Sequence, residues 1–223
     1  MKGIDLVIEP KTTTAVIGES GSGKSTLLRL LNGMQPADSG SVTRQGRPIT
    51  SIGTQALRQN TGYAMQQIGL YPHRTIRENI ALPLQLAGRV DQNSAQLVTS
   101  LARQLQLNDA QLDRYPTELS GGQQQRAGLC RALILQPDLL LLDEAFSGLD
   151  AITRSHALDA FLALKARTAL TTVLVTHDLN EARKVADHLV VLYEGKIVRQ
   201  GPKADVLQNP SHPYAAALIK AFS

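Results

Sequence analysis

Gly18-Glu19-Ser20-Gly21-Ser22-Gly23-Lys24-Ser25 decides how this chain is read. The run has the form G-x-x-x-x-G-K-[ST]. It follows Thr12 to Ile17, a β-branched stretch that reads as a strand. It opens Lys24 to Leu31, which reads as a helix closed by Asn32-Gly33. In that context glycines let the backbone curl so that several N–H groups point inward, and the helix N-terminus adds positive potential. Such a cradle suits phosphate oxygens. Lys24 is expected to reach the β- and γ-phosphates of a nucleoside triphosphate, the Ser25 hydroxyl to bind Mg2+, and Thr26 to help hold the α-phosphate.

A chance glycine turn would have no acidic partner downstream, and this one has. Leu139 to Leu142 is a short, continuous apolar run suited to a strand buried on both faces of a parallel sheet. It delivers Asp143 to the carboxyl edge, where ligands gather in such folds. Asp143 is expected to orient Mg2+ through water. Glu144, one residue beyond, is placed to polarise a water in line with the γ-phosphate, which is general-base work.

Bulk properties exclude several other classes. The chain has 223 residues, enough for one domain with a sizeable core or two tightly joined subdomains. A net charge of +4 with no lysine- or arginine-rich run argues against a nucleic-acid partner. The single cysteine, Cys130, rules out an intrachain disulfide and reads as a small apolar residue on a buried helix face. No apolar run approaches the roughly 20 residues that span a bilayer. Asp5 and Glu9 interrupt the stretch where a signal peptide would be uniformly apolar. The chain is therefore expected in the cytoplasm, with any membrane role supplied through a partner.

Around the two motifs the organisation reads coarsely. Ile4 to Ile8 is expected as a strand and Pro10-Lys11 as a turn. Ser41 to Arg44 and Gln45-Gly46 look like a hairpin. Leu97, Val98, Leu101 and Leu105 form one apolar helical stripe between Ser94 and Leu107, and Tyr115-Pro116 ends that region. A helix is expected from near Gly121 to about Leu135, and a buried strand over Thr171 to Thr176. Leu189 to Leu192 turns at Glu194-Gly195 into Lys196 to Arg199. A last helix is expected over roughly Tyr214 to Phe222. There are no internal repeats.

Leu119-Ser120-Gly121-Gly122-Gln123-Gln124-Gln125-Arg126 narrows the reading further. A serine hydroxyl and glycine N–H groups opening a helix offer donors and a dipole to an anion. The run resembles the signature segment of ATP-binding cassette (ABC) ATPases, and the resemblance extends over essentially the whole chain. It implies an α/β fold of the P-loop NTPase class. The parts would be a RecA-like parallel-sheet core, an N-terminally shortened antiparallel β subdomain and an α-helical signature subdomain. Residues 1–66 and 136–223 would form the core, and about 67–135 the helical part.

In that family Ser120, Gly121, Gly122 and Gln123 would serve the γ-phosphate of ATP held by the opposite subunit. Gln66 matches the glutamine that senses Mg2+ and water and couples to the membrane subunit. Ser147-Gly148-Leu149-Asp150 matches the segment that meets its twin across the dimer. His177 matches the histidine that contacts the γ-phosphate. The resemblance thus implies ATP and Mg2+ as cofactors and a head-to-tail homodimer. It also implies integral membrane permease subunits, indirectly a periplasmic or lipid-anchored substrate-binding protein, and a peripheral place on the cytoplasmic face of the inner membrane.

Gln66-Gln67-Ile68-Gly69-Leu70 is similar to importer ATPases for osmoprotectants and quaternary amines such as glycine betaine or choline. Two alternatives remain beside the importer. One is a degenerate or truncated nucleotide-binding module with little turnover. The other is an ABC ATPase of an exporter or extraction system.

The sequence departs from the family in one place. Members normally carry, before the position of Met1, a further β-strand and an aromatic residue that stacks on adenine. Nothing aromatic precedes Gly18. Either the chain is shortened or another side chain covers the base. Stacking contributes about 1–3 kcal/mol, roughly 5- to 150-fold in affinity, so binding would weaken while the triphosphate contacts remain. A missing strand would also leave an exposed sheet edge.

Overall fold

The computed structural model describes residues 1–66 and 68–221. Gln67, at the expected start of the helical region, and Phe222, at the expected end of the last helix, lie outside the described residues.

The chain runs β1 (Thr13–Ile17), α1 (Lys24–Leu31), β2 (Thr43–Arg44), β3 (Arg47–Pro48), α2 (Thr54–Gln59) and β4 (Thr61–Met65). Four helices follow: α3 (Ile76–Leu86), α4 (Ser94–Gln104), α5 (Asp109–Leu112) and α6 (Gly121–Leu133). Then come β5 (Leu139–Asp143), α7 (Ala151–Lys165), β6 (Thr171–Thr176), α8 (Leu179–Val185), β7 (His188–Tyr193), β8 (Lys196–Pro202), α9 (Lys203–Gln208) and α10 (Pro213–Ala221).

Six strands form one sheet in the order β4-β5-β6-β1-β7-β8. The first five are parallel, and β8 returns antiparallel to β7. All five residues of β1 are buried, as suits a central parallel strand covered on both faces. Successive side chains point to opposite faces, and the core divides accordingly. Val16, Leu141, Val173, Val175, Val190 and Leu192 pack with Leu27 and Leu28 of α1 on one face. Ala15, Ile17, Leu140, Leu142, Leu174, Leu189 and Val191 lie on the other, in a cluster that continues into α3, α4, α6, α7 and α8. No helix among the described residues is long and apolar enough to cross a membrane.

Most expected elements form close to where the sequence places them. β2 and β3 pair as a hairpin whose turn residues Gln45 (φ 51°) and Gly46 (φ 76°) are both left-handed, the geometry of a tight two-residue turn that matches strand twist. Among the described residues β2 and β3 pair only with each other. Ile4 to Ile8 is the exception. Its alternation is present, with Ile4, Leu6 and Ile8 packed against the α1-side core, but it joins no ladder. A strand needs backbone partners as well as alternation. Among the described residues this segment has only Lys2 N donating to Gly195 O (2.9 Å) near its start and the Gln200 amide donating to Asp5 O (3.2 Å).

Three helices in positions of consequence were not read from the sequence. α3 begins at Thr75, whose hydroxyl accepts from Glu78 N while the Glu78 carboxylate accepts from Thr75 N, a reciprocal cap. Asn79, fully buried, bonds the backbone of Tyr71, Arg74 and Thr75 and so fixes the loop ahead of that helix. α7 and α8 are capped by Asp150 and Asp178.

The contact between β4 and α6 sets the edge of the sheet nearest the site. A Cβ at Gly62 would sit 2.5 Å from Ala132 O, 3.0 Å from Leu140 Cδ1 and 3.1 Å from Pro137 Cγ. Gly62→Ala is expected to destabilise the chain by about 1–3 kcal/mol through overpacking, read as a lowered midpoint in urea unfolding. An unchanged midpoint would show that α6 does not press on β4.

Candidate active site

β1 ends at Ile17, and the loop that follows must turn under the neighbouring strand. Gly18 makes this approach possible, since a Cβ there would lie 2.1 Å from Leu192 O of β7. Gly21 (φ 79°) and Gly23 (φ 105°) take left-handed conformations as the loop closes into α1. The loop is held from outside by Gly195 N, which donates to Ser22 O (3.1 Å). Glu19 N donates to the Tyr214 hydroxyl (2.8 Å), and the Tyr214 ring stacks on Tyr193 with centroids 4.2 Å apart. Neither tyrosine was singled out from sequence, because their meeting depends on how α10 folds back on the end of β7.

Lys24 is 5% exposed. Its ammonium donates to Gly18 O (2.9 Å) and Glu19 O (2.8 Å), so it is already drawn back over the loop. Burial lowers its pKa, and the carboxylates of Glu144, Asp143 and Glu19 oppose that. A triphosphate in the loop would add negative charge on the same side as those carboxylates. Among the described residues the Ser22 hydroxyl is buried and has no hydrogen-bond partner. Ser20 and Thr26 flank these positions in the loop and in the first turn of α1.

Across the loop, β5 delivers the acidic pair. Asp143 Oδ1 accepts from the Ser25 hydroxyl (2.9 Å), and Oδ2 accepts from the Tyr63 hydroxyl (3.0 Å). Tyr63 is pushed up to about 12, first by burial and then by the charge of Asp143, and it therefore remains a donor. Ser25 and Asp143 offer hard oxygen donors side by side. Mg2+ takes such ligands singly and completes its shell with phosphate oxygens and water. Among the described residues no three acidic, histidine or cysteine side chains gather into a metal cage. The donor set thus fits a cation brought with a triphosphate better than a free-standing metal site.

Glu144 is a non-glycine residue with φ 50°. Its N–H donates to Val175 O (2.9 Å), while its own O accepts from Ser147 N and the Ser147 hydroxyl. These bonds hold a backbone state that is uncommon for a side chain with Cβ. The carboxylate Oε2 lies 3.2 Å from His177 Nδ1. The His177 side chain is 59% exposed, so it faces outward from the end of β6. Gln66 follows β4 directly, and the β4–β5 register sets Met65 beside Asp143. The segment after it is clamped by Arg131 of α6, which donates to Gly69 O (2.7 Å) and to Ile68 O.

Ser120, Gly121, Gly122 and Gln123 lie at the start of α6. Ser120 Oγ accepts from Gln123 N (3.4 Å), and Gln123 Oε1 accepts from Ser120 N (2.9 Å). A Cβ at Gly122 would sit 2.0 Å from Thr153 Cγ2, so this glycine also lets α6 pack on the first turn of α7. Among the described residues no hydrogen bond or ion pair joins these four residues to the phosphate loop. The chain gathers Gly18–Thr26, Asp143, Glu144 and His177 on one sheet edge, while Ser120–Gln123 open α6.

A second network lies behind His177. The Thr176 hydroxyl donates to Glu181 Oε2 (2.7 Å) and accepts from Asp178 N (3.0 Å). Arg154 donates to Asp178 Oδ2 (2.7 Å) and to Leu149 O (2.9 Å), and its Nε stands 3.5 Å from Glu181 Oε1. Arg154 thereby ties the Ser147–Asp150 segment to the turn that carries His177. Glu181 is 2% exposed. Burial raises its pKa, and the Thr176 hydroxyl and Arg154 pull against that rise.

A carboxyl group with a raised folded-state pKa contributes stability fully below its unfolded value and loses it as pH rises through the folded value. Glu181→Gln, which keeps an acceptor for Thr176, is therefore expected to remove that component. Its urea midpoint would decline less than the parent's as pH rises above the ordinary glutamate range. Parallel pH profiles would contradict the assignment.

Comparisons with known proteins bear on the family and the fold. A family model described as ABC transporter matches residues 1–147. The chain is 41% identical over 219 residues to the sulfate/thiosulfate import ATP-binding protein CysA of Synechococcus elongatus, covering 98% of this chain and 63% of that protein. It is 39% identical over 219 residues to the glycine betaine/carnitine/choline transport ATP-binding protein OpuCA of Bacillus subtilis, covering 98% and 58%. It thus spans about three-fifths of the length of these relatives. The dimeric ABC transporter cassette MJ0796 superposes with a TM-score of 0.81 at 29% identity, over 91% of this chain and 90% of that one. A second structure of that cassette, in a post-hydrolysis state bound to ADP and Pi, matches equally well. The chain belongs to the ABC transporter family and has the fold of its ATP-binding cassette.

Proposed function

We propose that the chain is the ATP-hydrolysing part of a bacterial ABC importer, acting as a head-to-tail pair. The observation that carries this reading is the assembly, on one sheet edge, of a phosphate loop, the Ser25–Asp143 oxygen pair and the Glu144–His177 pair. Each ATP would lie between Gly18–Thr26 of one chain and Ser120–Gln123 of the other. The loop N–H groups, Lys24 and Ser22 would bind the phosphates. Ser25 and Asp143, with Gln66, would hold Mg2+, which when bound neutralises charge on the β- and γ-phosphates.

In the hydrolytic step Glu144 would take a proton from water as the water oxygen bonds to the γ-phosphorus. The bond to the bridging oxygen breaks, and the negative charge left on ADP stays among Lys24 and the loop donors. With a proton on Nδ1, His177 would donate to Glu144 Oε2 while it holds the γ-phosphate. The other oxygen then remains for the water.

Coupling to transport is the second half of the proposal. We take residues from about 67 to 135 as the arm that meets integral membrane permease subunits at the cytoplasmic face of the inner membrane. A periplasmic or lipid-anchored binding protein would be met only through those subunits. α6 supports this role, since it begins at the signature residues and its Arg131 grips the backbone just beyond Gln66. For cargo we infer a quaternary amine. The run from Gln66 to Leu70 supports it, and relatives named for sulfate, methionine and quaternary amines are about equally similar in sequence.

Glu144→Gln is the test of the hydrolytic step. The variant is expected to bind ATP like the parent and to lose turnover by about 10²- to 10⁴-fold, measured by nucleotide binding and phosphate release. Hydrolysis at the parental rate would remove Glu144 from its role.

A further inference from the structure

We propose that Tyr63 is a positioning residue for Asp143, and through it for the cation that accompanies ATP. The inference rests on the reading of Ser25 and Asp143 as the residues that hold that cation. It is carried by how the two strands present their side chains.

β4 and β5 pair in parallel, with Tyr63 opposite Leu141 and Met65 opposite Asp143. Side chains two apart share a face, so Tyr63 and Asp143 lie diagonally on the same side of the sheet. An aromatic side chain spans that diagonal. The Tyr63 ring packs against the core shared by Leu27, Leu141 and Val175, which fixes the direction of its hydroxyl. Among the described residues the hydroxyl's one hydrogen bond goes to Asp143 Oδ2 (3.0 Å). Packing alone would be served equally by phenylalanine, so the hydroxyl is the informative part.

The consequence concerns Ser25. With Oδ2 fixed by Tyr63, the carboxylate presents Oδ1 to the Ser25 hydroxyl at 2.9 Å. The Ser25 proton is then committed to Asp143, and its oxygen lone pairs are left for a cation. Without the tyrosine hydroxyl the carboxylate can turn about its terminal torsion, which is broad for Asp. Both donors would then lose their fixed direction. Outer partners of this kind typically alter metal affinity by 10- to 100-fold when removed.

The test is binding of a fluorescent N-methylanthraniloyl ATP to chains that also carry Glu144→Gln, titrated with Mg2+ and repeated in EDTA. Tyr63→Phe is expected to leave binding in EDTA within about twofold of the parent and to raise the Mg2+ concentration for half-maximal effect about 10-fold. Tyr63→Met, which keeps apolar volume without the hydroxyl, should do the same. Thermal unfolding of each variant checks that the strand pair is intact. An equal loss of affinity with and without Mg2+ would show a structural role and overturn the proposal. Ser25→Ala and Asp143→Asn separate the remaining outcomes. If both lose their Mg2+ dependence while Tyr63→Phe titrates like the parent, the tyrosine proposal alone fails. If neither loses it, the assignment of the cation site fails first.

Discussion

The approach of the Gly18 backbone to the carbonyl of Leu192 is the constraint on which the site depends. β1 lies in the middle of the sheet, paired with β6 on one side and β7 on the other. Its position is therefore fixed before the loop begins. The loop can start its turn only because position 18 lacks a Cβ, which would meet Leu192 O at 2.1 Å. The residues of this loop that are proposed to bind the phosphates are placed by that turn. Lys24 opens α1 at its end, Ser25 meets Asp143 from the next strand but one, and Gly195 and Tyr214 brace the loop from behind.

Charge distribution on this edge follows from the strand order. β6 separates β1 from β5, so the phosphate loop and the acidic pair stand two strands apart, with the His177 turn between them. Ser25 spans from the loop side to Asp143 at 2.9 Å. Two carboxylates beside a phosphate site would repel the ligand if left alone. Here Asp143 is engaged by two hydroxyls and Glu144 by His177, while the buried ammonium of Lys24 offsets both. Hydrogen bonds to charged groups contribute about 1.5–3 kcal/mol each when sheltered from water, and the contact of the exposed His177 less.

How much of this could be read from the sequence depended on whether the signal was local. The phosphate loop, the Leu139–Asp143 strand, the Gln45-Gly46 hairpin and the helix from Gly121 carry their own punctuation, and each formed within a few residues of expectation. Ile4 to Ile8 shows the limit of alternation. The pattern marks which side chains face the core, but ladder partners are a property of the rest of the chain. Tyr63 was visible only as the residue three before Gln66, because its hydroxyl acquires meaning from the β4–β5 register. Tyr214 and Arg154 were missed for the same reason: the groups they bond lie 195 and 24 residues away. The caps of α7 and α8, Asp150 and Asp178, were local signals that could have been used. Gly122 is read from the motif as a phosphate contact, but its packing against Thr153 is not visible in a motif.

On the proposed reading one chain holds an incomplete site, since among the described residues Ser120–Gln123 make no hydrogen bond to the phosphate loop they would serve in a partner. Light scattering of the Glu144→Gln chain, with and without Mg-ATP, tests this most directly. The expected mass is near 24.1 kDa without nucleotide and twice that with it, the doubling being cancelled by Ser120→Phe. A mass that stays at one chain while ATP is demonstrably bound would contradict it.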